Sequence, residues 1–394
     1  MKLRPAIGRW VARADRLNDW RRTRLHHARP RHPLEIVPYL GFGTPQRLQL
    51  GGRVLRLVEH RAPQADDLAW RNLVAIYRRM ASDEVARARV RASLGGLTVE
   101  TRADDEGHFQ LAIDTGTPLE PGWHAVALEL LAPLAPGAAP ATACARVLVP
   151  PPAARFGVIS DLDDTVLWSD VRNRLRMLAL LLRSNAYTRK PFEGVSALYR
   201  ALHRGAAGGE GNPVFYVSSS PWNLYTPLTD FLRLQGLPEG PLMLKDFGDH
   251  MLFEPLDHAR HKLRCIEQIF GTYPGLRFVL IGDSGEHDPE IYAEVVRAHP
   301  QRVLAVYIRS VDPNPARHAA VAQLAEGVRR ARVPMLLVPD SLAVARHAAD
   351  AGWIAPQAVE SVRADQREEE TAPRVSADAG AEDGRQPPPA QAAT

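Results

Sequence analysis

The chain has 394 residues, 45% hydrophobic and 24% charged, with a formal net charge of +4. At roughly 150 residues per domain this is about two domains, and the ordinary composition excludes a collagen-like, coiled-coil or wholly disordered chain. Two cysteines, Cys144 and Cys265, and no CxxC pair exclude a disulfide framework or zinc ribbon and make the reducing cytoplasm the expected location.

Residues 1–33 hold ten Lys/Arg against Asp15 and Asp19. Leu3, Ile7, Trp10, Val11, Ala14 and Leu17 follow helical spacing, which predicts a basic amphipathic arm. Such a helix suits peripheral contact with an anionic membrane; packing on its own domain, or a loose arm, is the alternative. No stretch reaches 18 apolar residues and no signal-peptide core opens the chain, so no spanning helix is expected.

Residues 34–150 read as a β-rich, sandwich-like domain: short alternating runs such as Arg53–Val58, Leu97–Thr101 and Trp123–Leu130 are separated by turn signals such as Asp104–Gly107. A helical interruption is expected near Arg71–Met80. Gly41-Phe42-Gly43 lacks the third glycine of a dinucleotide fingerprint. The Ala/Pro-rich stretch 132–140 and Pro150-Pro151-Pro152 mark a linker.

Residues 153–355 alternate apolar runs with helical patterns, the signature of an α/β domain on a parallel sheet. The runs are Phe156–Ile159, Val214–Val217, Phe278–Ile281, Val303–Ile308 and Met335–Val338. Helices are expected over Trp222–Leu234, His261–Phe270, Asp288–Ala298 and Leu342–Ala351. The glycine-rich stretch Gly205–Pro213 reads as a flexible linker, since it precedes a strand and opens no helix. Residues 361–394 are polar and Pro/Ala-rich, which predicts a disordered tail. Because the basic excess sits in the arm, the sequence argues against a nucleic-acid partner, which needs a basic patch on a folded domain.

Ligands of open parallel sheets bind beyond the carboxyl ends of the strands. The first run is followed by Asp161-Leu162-Asp163-Asp164-Thr165, the second by Ser218-Ser219-Ser220, the third by Gly282-Asp283 and then Asp288. Neighbouring carboxylates repel unless a cation joins them, and hard oxygen donors select Mg2+. A carboxylate can act as a nucleophile toward phosphorus, and a second, protonatable one can serve the leaving oxygen and then water. Phosphate oxygens need a hydroxyl and a cation; Ser218 and Lys262 suit these tasks, with Lys245 the second choice. Asp164 and Thr165 read as turn residues. Asp288 has three readings: bracing the Asp283 loop, touching metal through water, or capping the helix begun by Pro289-Glu290.

These residues resemble the four motifs of the haloacid dehalogenase superfamily of phosphotransferases. The strings Tyr216-Val217-Ser218-Ser219-Ser220-Pro221-Trp222 and Leu280 to Tyr292 resemble, more narrowly, the actin-patch-type phosphatidate phosphatase family, strongly over about 155–310. The resemblance implies a Rossmann-like haloacid dehalogenase-type domain and a Mg2+-dependent conversion of phosphatidate to diacylglycerol. Asp161 would be nucleophile and metal ligand, and Asp163 acid/base with its main-chain carbonyl on the metal. Ser218 and Lys262 would hold phosphate, Asp283 would bind metal, and Asp288 would support it. A soluble phosphomonoester or phosphoprotein is the alternative substrate, and a scaffold role for the β-rich domain the alternative function.

Three features speak to substrate. Val166–Phe192 mixes Leu and Met with Arg, suiting either a lid over the site or an ordinary packed helix. Pro221–Tyr225 lies beside Ser218, to shape a pocket or pack a helix start. His258, His261 and His287 lack zinc-site spacing, so solvated or supporting roles are expected.

Overall fold

The computed structural model describes residues 33–56, 83–134, 139–162, 194–245 and 255–371. The basic arm, the helix expected near 71–80, Asp163 to Thr165, the segment 166–192 and the end of the tail lie outside the described residues.

The N-terminal half is built from β1 (Leu34–Pro38), β2 (Gly41–Thr44), β3 (Arg47–Arg56), β4 (Asp83–Glu84), β5 (Arg89–Leu94), β6 (Leu97–Arg102), β7 (His108–Asp114), β8 (Gly122–Ala132) and β9 (Thr142–Val149). All nine are joined by hydrogen bonds in one mixed sheet of order β1-β3-β2-β9-β8-β5-β6, with β4 and β7 on β3. The pairs are antiparallel except β2 with β9. Alternation along the strands sends Leu48, Leu50, Val54, Phe109, Ile113, Val126, Leu128 and Val147 into one core, as period-2 patterning requires.

The C-terminal half alternates strands and helices. In order come β10 (Gly157–Asp161), α1 (Val195–Arg204), β11 (Val214–Pro221), α2 (Tyr225–Leu234), β12 (Leu242–Lys245), α3 (Pro255–Thr272), β13 (Phe278–Asp283), α4 (Asp288–Ala298), β14 (Val303–Arg309), α5 (Pro315–Arg329), β15 (Met335–Val338), α6 (Ser341–Asp350) and α7 (Ala358–Thr371). Its six strands are all parallel, in the order β12-β11-β10-β13-β14-β15. Counted from its own first strand this is 3-2-1-4-5-6, with the order reversing at β10. Residues of α1, α2, α6 and α7 cover one face, and residues of α3, α4 and α5 the other. With both faces covered, the strands read as unbroken apolar runs, and every residue of β10 and β13 is buried.

The two halves are packed together. Phe42 of β2 is buried against Phe215 and Tyr273, at ring-centroid distances of 5.4 and 6.3 Å, a burial that stabilises by about 2 kcal/mol. Tyr39 stacks on Trp222 at 4.1 Å, and the Leu40 backbone N–H donates to the Tyr225 hydroxyl at 2.6 Å.

Three expectations change. The polar tail does not begin at residue 361, because α7 runs to Thr371. Val362 is fully buried in the core that contains α1, and the Asp365 carboxylate accepts from the Ala197 N–H; two valines at helical spacing outweigh the polar residues around them. The stretch Gly205–Pro213 is pinned, not a flexible linker. Buried Asn212 accepts from the N–H groups of Arg155 and Phe156 and donates to the Leu202 carbonyl. The short strand β12 has no counterpart among the expected strands. Among the described residues, no helix is long and apolar enough to cross a membrane.

Candidate active site

Asp161 is the last residue of β10, and Asp283 the last of its neighbour β13. A residue at the end of a buried strand leaves the ladder with its side chain at the sheet edge, where the chain turns. Ser218 lies one residue beyond the Val217–Asp161 register pair on the other neighbour, β11. The sheet thus brings these three positions to one crevice at the reversal point.

The loop after β13 brings in the remaining groups. Asp283 Oδ1 accepts from the N–H groups of Gly285 (2.6 Å) and Glu286 (3.0 Å), closing a tight turn. Asp288 returns against the strand: its Oδ2 accepts from the Asp283 N–H at 3.3 Å, and its Oδ1 accepts from Lys262 Nζ at 2.5 Å. A Cβ on Gly282 would run into the Asp288 side chain, so this close approach requires glycine. Of the three readings of Asp288, capping is excluded, since the cap position is His287 and no side-chain cap bond forms. Arg317 of α5 clamps the same loop, donating to the carbonyls of Ser284 (2.7 Å) and Glu286 (2.6 Å) while paired with Glu290.

Lys262 projects from α3 into this cluster and is 2% exposed. Its ammonium lies 2.7 Å from Asp161 Oδ1, 2.5 Å from Asp288 Oδ1 and 3.5 Å from Glu286 Oε2. Burial disfavours the charged ammonium, but Asp161, Asp288 and Glu286 outweigh it and hold the lysine protonated. The carboxylates show the opposite balance. Burial, and then the charge of Asp288, pushes Asp283 up to about 8, and burial likewise raises Asp288 despite Lys262. One ammonium is too little positive charge for this site. Asp161, Asp283 and Asp288 are each fully buried, with oxygen atoms within 4.8 Å of one another. A set of oxygen donors with excess negative charge fits a hard divalent cation.

Buried Ser218 accepts from the Ser220 N–H at 2.9 Å through its hydroxyl. A ring N–H of His261 donates to its carbonyl, and burial, with Arg264, Lys245 and Lys262 nearby, pushes His261 down to about 4. His261 is therefore not solvated; it is a buried neutral support. His287 is exposed. Lys245, the second choice for holding phosphate, ends β12 and lines a cleft beside the cluster, whereas Lys262 enters it. Trp222 packs against Tyr39, and Arg53 of the β-rich half donates to Asn223 next to it.

For His261 the structure selects the supporting role of the two expected. Glu286, Arg317 and Arg53 emerge only from the structure. For Glu286 the available signal was its place between Asp283 and Asp288. The other two reach the site through tertiary packing, for which the sequence carries no local sign.

Residues 156–310 match the family model described as phosphatidate phosphatase APP1, catalytic domain. The chain is 32% identical over 155 residues to phosphatidate phosphatase APP1 of Saccharomyces cerevisiae, covering 39% of this chain and 26% of that protein. It is 33% identical over 162 residues to an uncharacterized protein of Schizosaccharomyces pombe, covering 40% and 25%. The chain thus spans about a quarter of the length of these curated relatives. Among solved structures, a carbohydrate acetylesterase from Xanthomonas citri aligns at 11% identity over 75% of each chain with a TM-score of 0.26, too low to carry an argument. The segment that holds Asp161, Ser218, Lys262, Asp283 and Asp288 belongs to the APP1-type phosphatidate phosphatase catalytic-domain family.

Proposed function

We propose that the chain is a Mg2+-dependent phosphatase that converts phosphatidate to diacylglycerol through an aspartyl-phosphate, on a haloacid dehalogenase-type domain. The observation that carries this reading is the Lys262–Asp161 contact of 2.7 Å in a buried set of carboxylates, within a segment of the phosphatidate phosphatase family. Lys262 sits where a phosphoryl oxygen brought up to Asp161 would meet it, and the Ser218 hydroxyl offers a further donor. Asp161, Asp283 and, as the family resemblance implies, the main-chain carbonyl of Asp163 would hold a divalent cation, with Asp288 in support, and its positive charge would offset repulsion between the carboxylate and the phosphate.

Asp161 attacks phosphorus through one carboxylate oxygen as the ester P–O bond breaks. Asp163 protonates the departing alkoxide, giving the free alcohol. It then takes a proton from a water molecule that attacks the same phosphorus, which releases inorganic phosphate and restores Asp161. Asp163 is assigned from its position two residues after Asp161. The yeast relative's printed name is the reason to choose phosphatidate over a soluble phosphomonoester. The protein would act in the cytoplasm, with the basic arm meeting the anionic lipid surface.

The test is phosphate release from phosphatidate in mixed micelles, beside glycerol phosphate and a phosphopeptide, with Mg2+ and with chelator. The reading expects release from phosphatidate that stops on chelation. Release from the soluble esters with none from phosphatidate at any lipid content would overturn the lipid substrate.

A further inference from the structure

Between the two sheets, beside the carboxylate cluster, lies a cleft of about 960 Å3, within the size range of small-ligand sites. Its floor is the outer face of the β-rich sheet. Gln49 and Gly51 on β3 alternate with buried Leu48 and Leu50, and pair with Ala112 and Gln110 on β7. Cross-strand partners share a face, so the floor combines small residues with neutral amides. The opposite wall comes from β12, with Met243 and Lys245, and from α3, where His261, Arg264, Cys265 and Gln268 fall at helical spacing on one face.

Two features connect this cleft to the reaction centre. Helix α3 serves both, sending Lys262 to Asp161 and His261 to the cleft, and His261 also donates to the Ser218 carbonyl. Trp222, four residues after Ser218, lines the cleft, and Lys245 pairs in register with Pro221. The lining is also one-sided in charge: it holds Lys245, Arg264 and Arg47, the last paired with Asp114 at 2.9 Å, and no described lining residue is acidic. Leu242, Met243 and Leu244 add apolar surface between these cations.

We propose that this cleft is the binding site for the organic part of the phosphomonoester, an apolar chain carried by an anionic head, and that the β-rich sheet supplies one of its walls. The inference rests on the phosphatase reading and assigns its specificity to a cleft shared by the catalytic segment and the β-rich sheet. The cations draw the anionic head toward Ser218 and Lys262. The chain lies between Met243 and the Gly51–Ala112 floor, where its burial contributes to binding. Ala112 and Arg264 are specificity residues with no part in the bond-breaking steps.

The experiment uses the full chain and short n-alkyl phosphates from butyl to dodecyl, below their micelle-forming concentrations. Wild type is expected to gain about tenfold or more in kcat/KM from butyl to dodecyl phosphate. Ala112→Trp, which fills the cleft, should lose about tenfold on dodecyl phosphate through KM while butyl phosphate stays within about twofold. Arg264→Glu should raise KM at every chain length without lowering kcat. Binding of dodecyl phosphonate by calorimetry gives a readout without turnover, and melting curves establish that each variant is folded. If Ala112→Trp and Arg264→Glu both leave chain-length dependence and phosphonate affinity unchanged, the cleft assignment is wrong even with a working phosphatase. If wild type hydrolyses neither alkyl phosphates nor phosphatidate but binds the phosphonate in a manner weakened by either variant, the cleft stands and the phosphatase reading falls.

Discussion

The two sheets place the same kinds of charge in opposite settings. On the β-rich sheet, Arg89 and Arg91 of β5 face Glu100 of β6 across the ladder, at 2.8 Å each, with all three side chains well exposed. The Arg91 hydrogen bond lowers Glu100, and such pairs in water contribute little. On the parallel sheet, Asp161, Asp283 and Asp288 surround one lysine with no solvent access, and burial raises Asp283 and Asp288. Ion-pair distances are nearly equal in the two places. Desolvation is what separates a solvated ladder from a buried set of charges with shifted protonation, the setting that the proposed metal and phosphate would need.

The largest break in that comparison comes from Lys262→Met. Removing the cation leaves buried carboxylates facing one another, so the metal-free protein should lose about 3 kcal/mol in urea unfolding. Phosphate release should fall by about a hundredfold or more with it. A Lys262→Met protein with wild-type turnover would place the chemistry elsewhere.

Next comes Gly282→Ala. Its methyl group meets Asp288, so the Asp283 loop must shift, at a cost of about 2 kcal/mol. Turnover measured beside thermal melting should fall more than stability does. A fully active variant would show that the Asp288 brace is dispensable.

Arg53→Ala tests whether the β-rich half supports the reaction centre. Arg53 is 4% exposed and joins Glu84 and the Glu106 carbonyl to Asn223. Loss of this link should cost about 2 kcal/mol in denaturant melts. It should also reduce turnover several-fold, because Asn223 lies five residues after Ser218. Reduced stability at unchanged turnover would confine Arg53 to holding the halves together.

The His108 ring is held down to about 3 by burial and then by the charge of Arg53, and it contacts the Tyr39 hydroxyl at 3.2 Å. In the unfolded chain it takes a proton near pH 6.5. The unfolded state therefore binds more protons between about pH 6.5 and 3, and stability falls as pH drops through that window. His108→Gln should flatten this part of the melting-temperature profile; an unchanged slope would exclude His108 as its source. The smallest effect is expected from Arg91→Ala on the exposed ladder, with turnover and melting temperature indistinguishable from wild type.

Much of the parallel sheet was readable because burial on both faces writes a strand as an unbroken apolar run. Five of its six strands and the helix Asp288–Ala298 appear where the sequence places them. Asp161, Ser218 and Asp283 were readable because each follows such a run. Strand β12 was not, since four residues at a sheet edge carry little pattern. Helix α5 was not, because its alanine-rich surface buries only Val321 and Val328. The second role of α3 also went unread: His261 and Lys262 are adjacent in sequence, and only the fold sends one to the cleft and the other to the carboxylates.

The central claim is that the buried cluster at the ends of β10 and β13 is the reaction centre. Its most direct test compares phosphate release from phosphatidate by wild type and Asp161→Asn, each shown to be folded by its melting curve. The isosteric amide keeps the packing and removes the proposed nucleophile, so release should fall by about a thousandfold or more. Equal rates from two folded proteins would contradict the account.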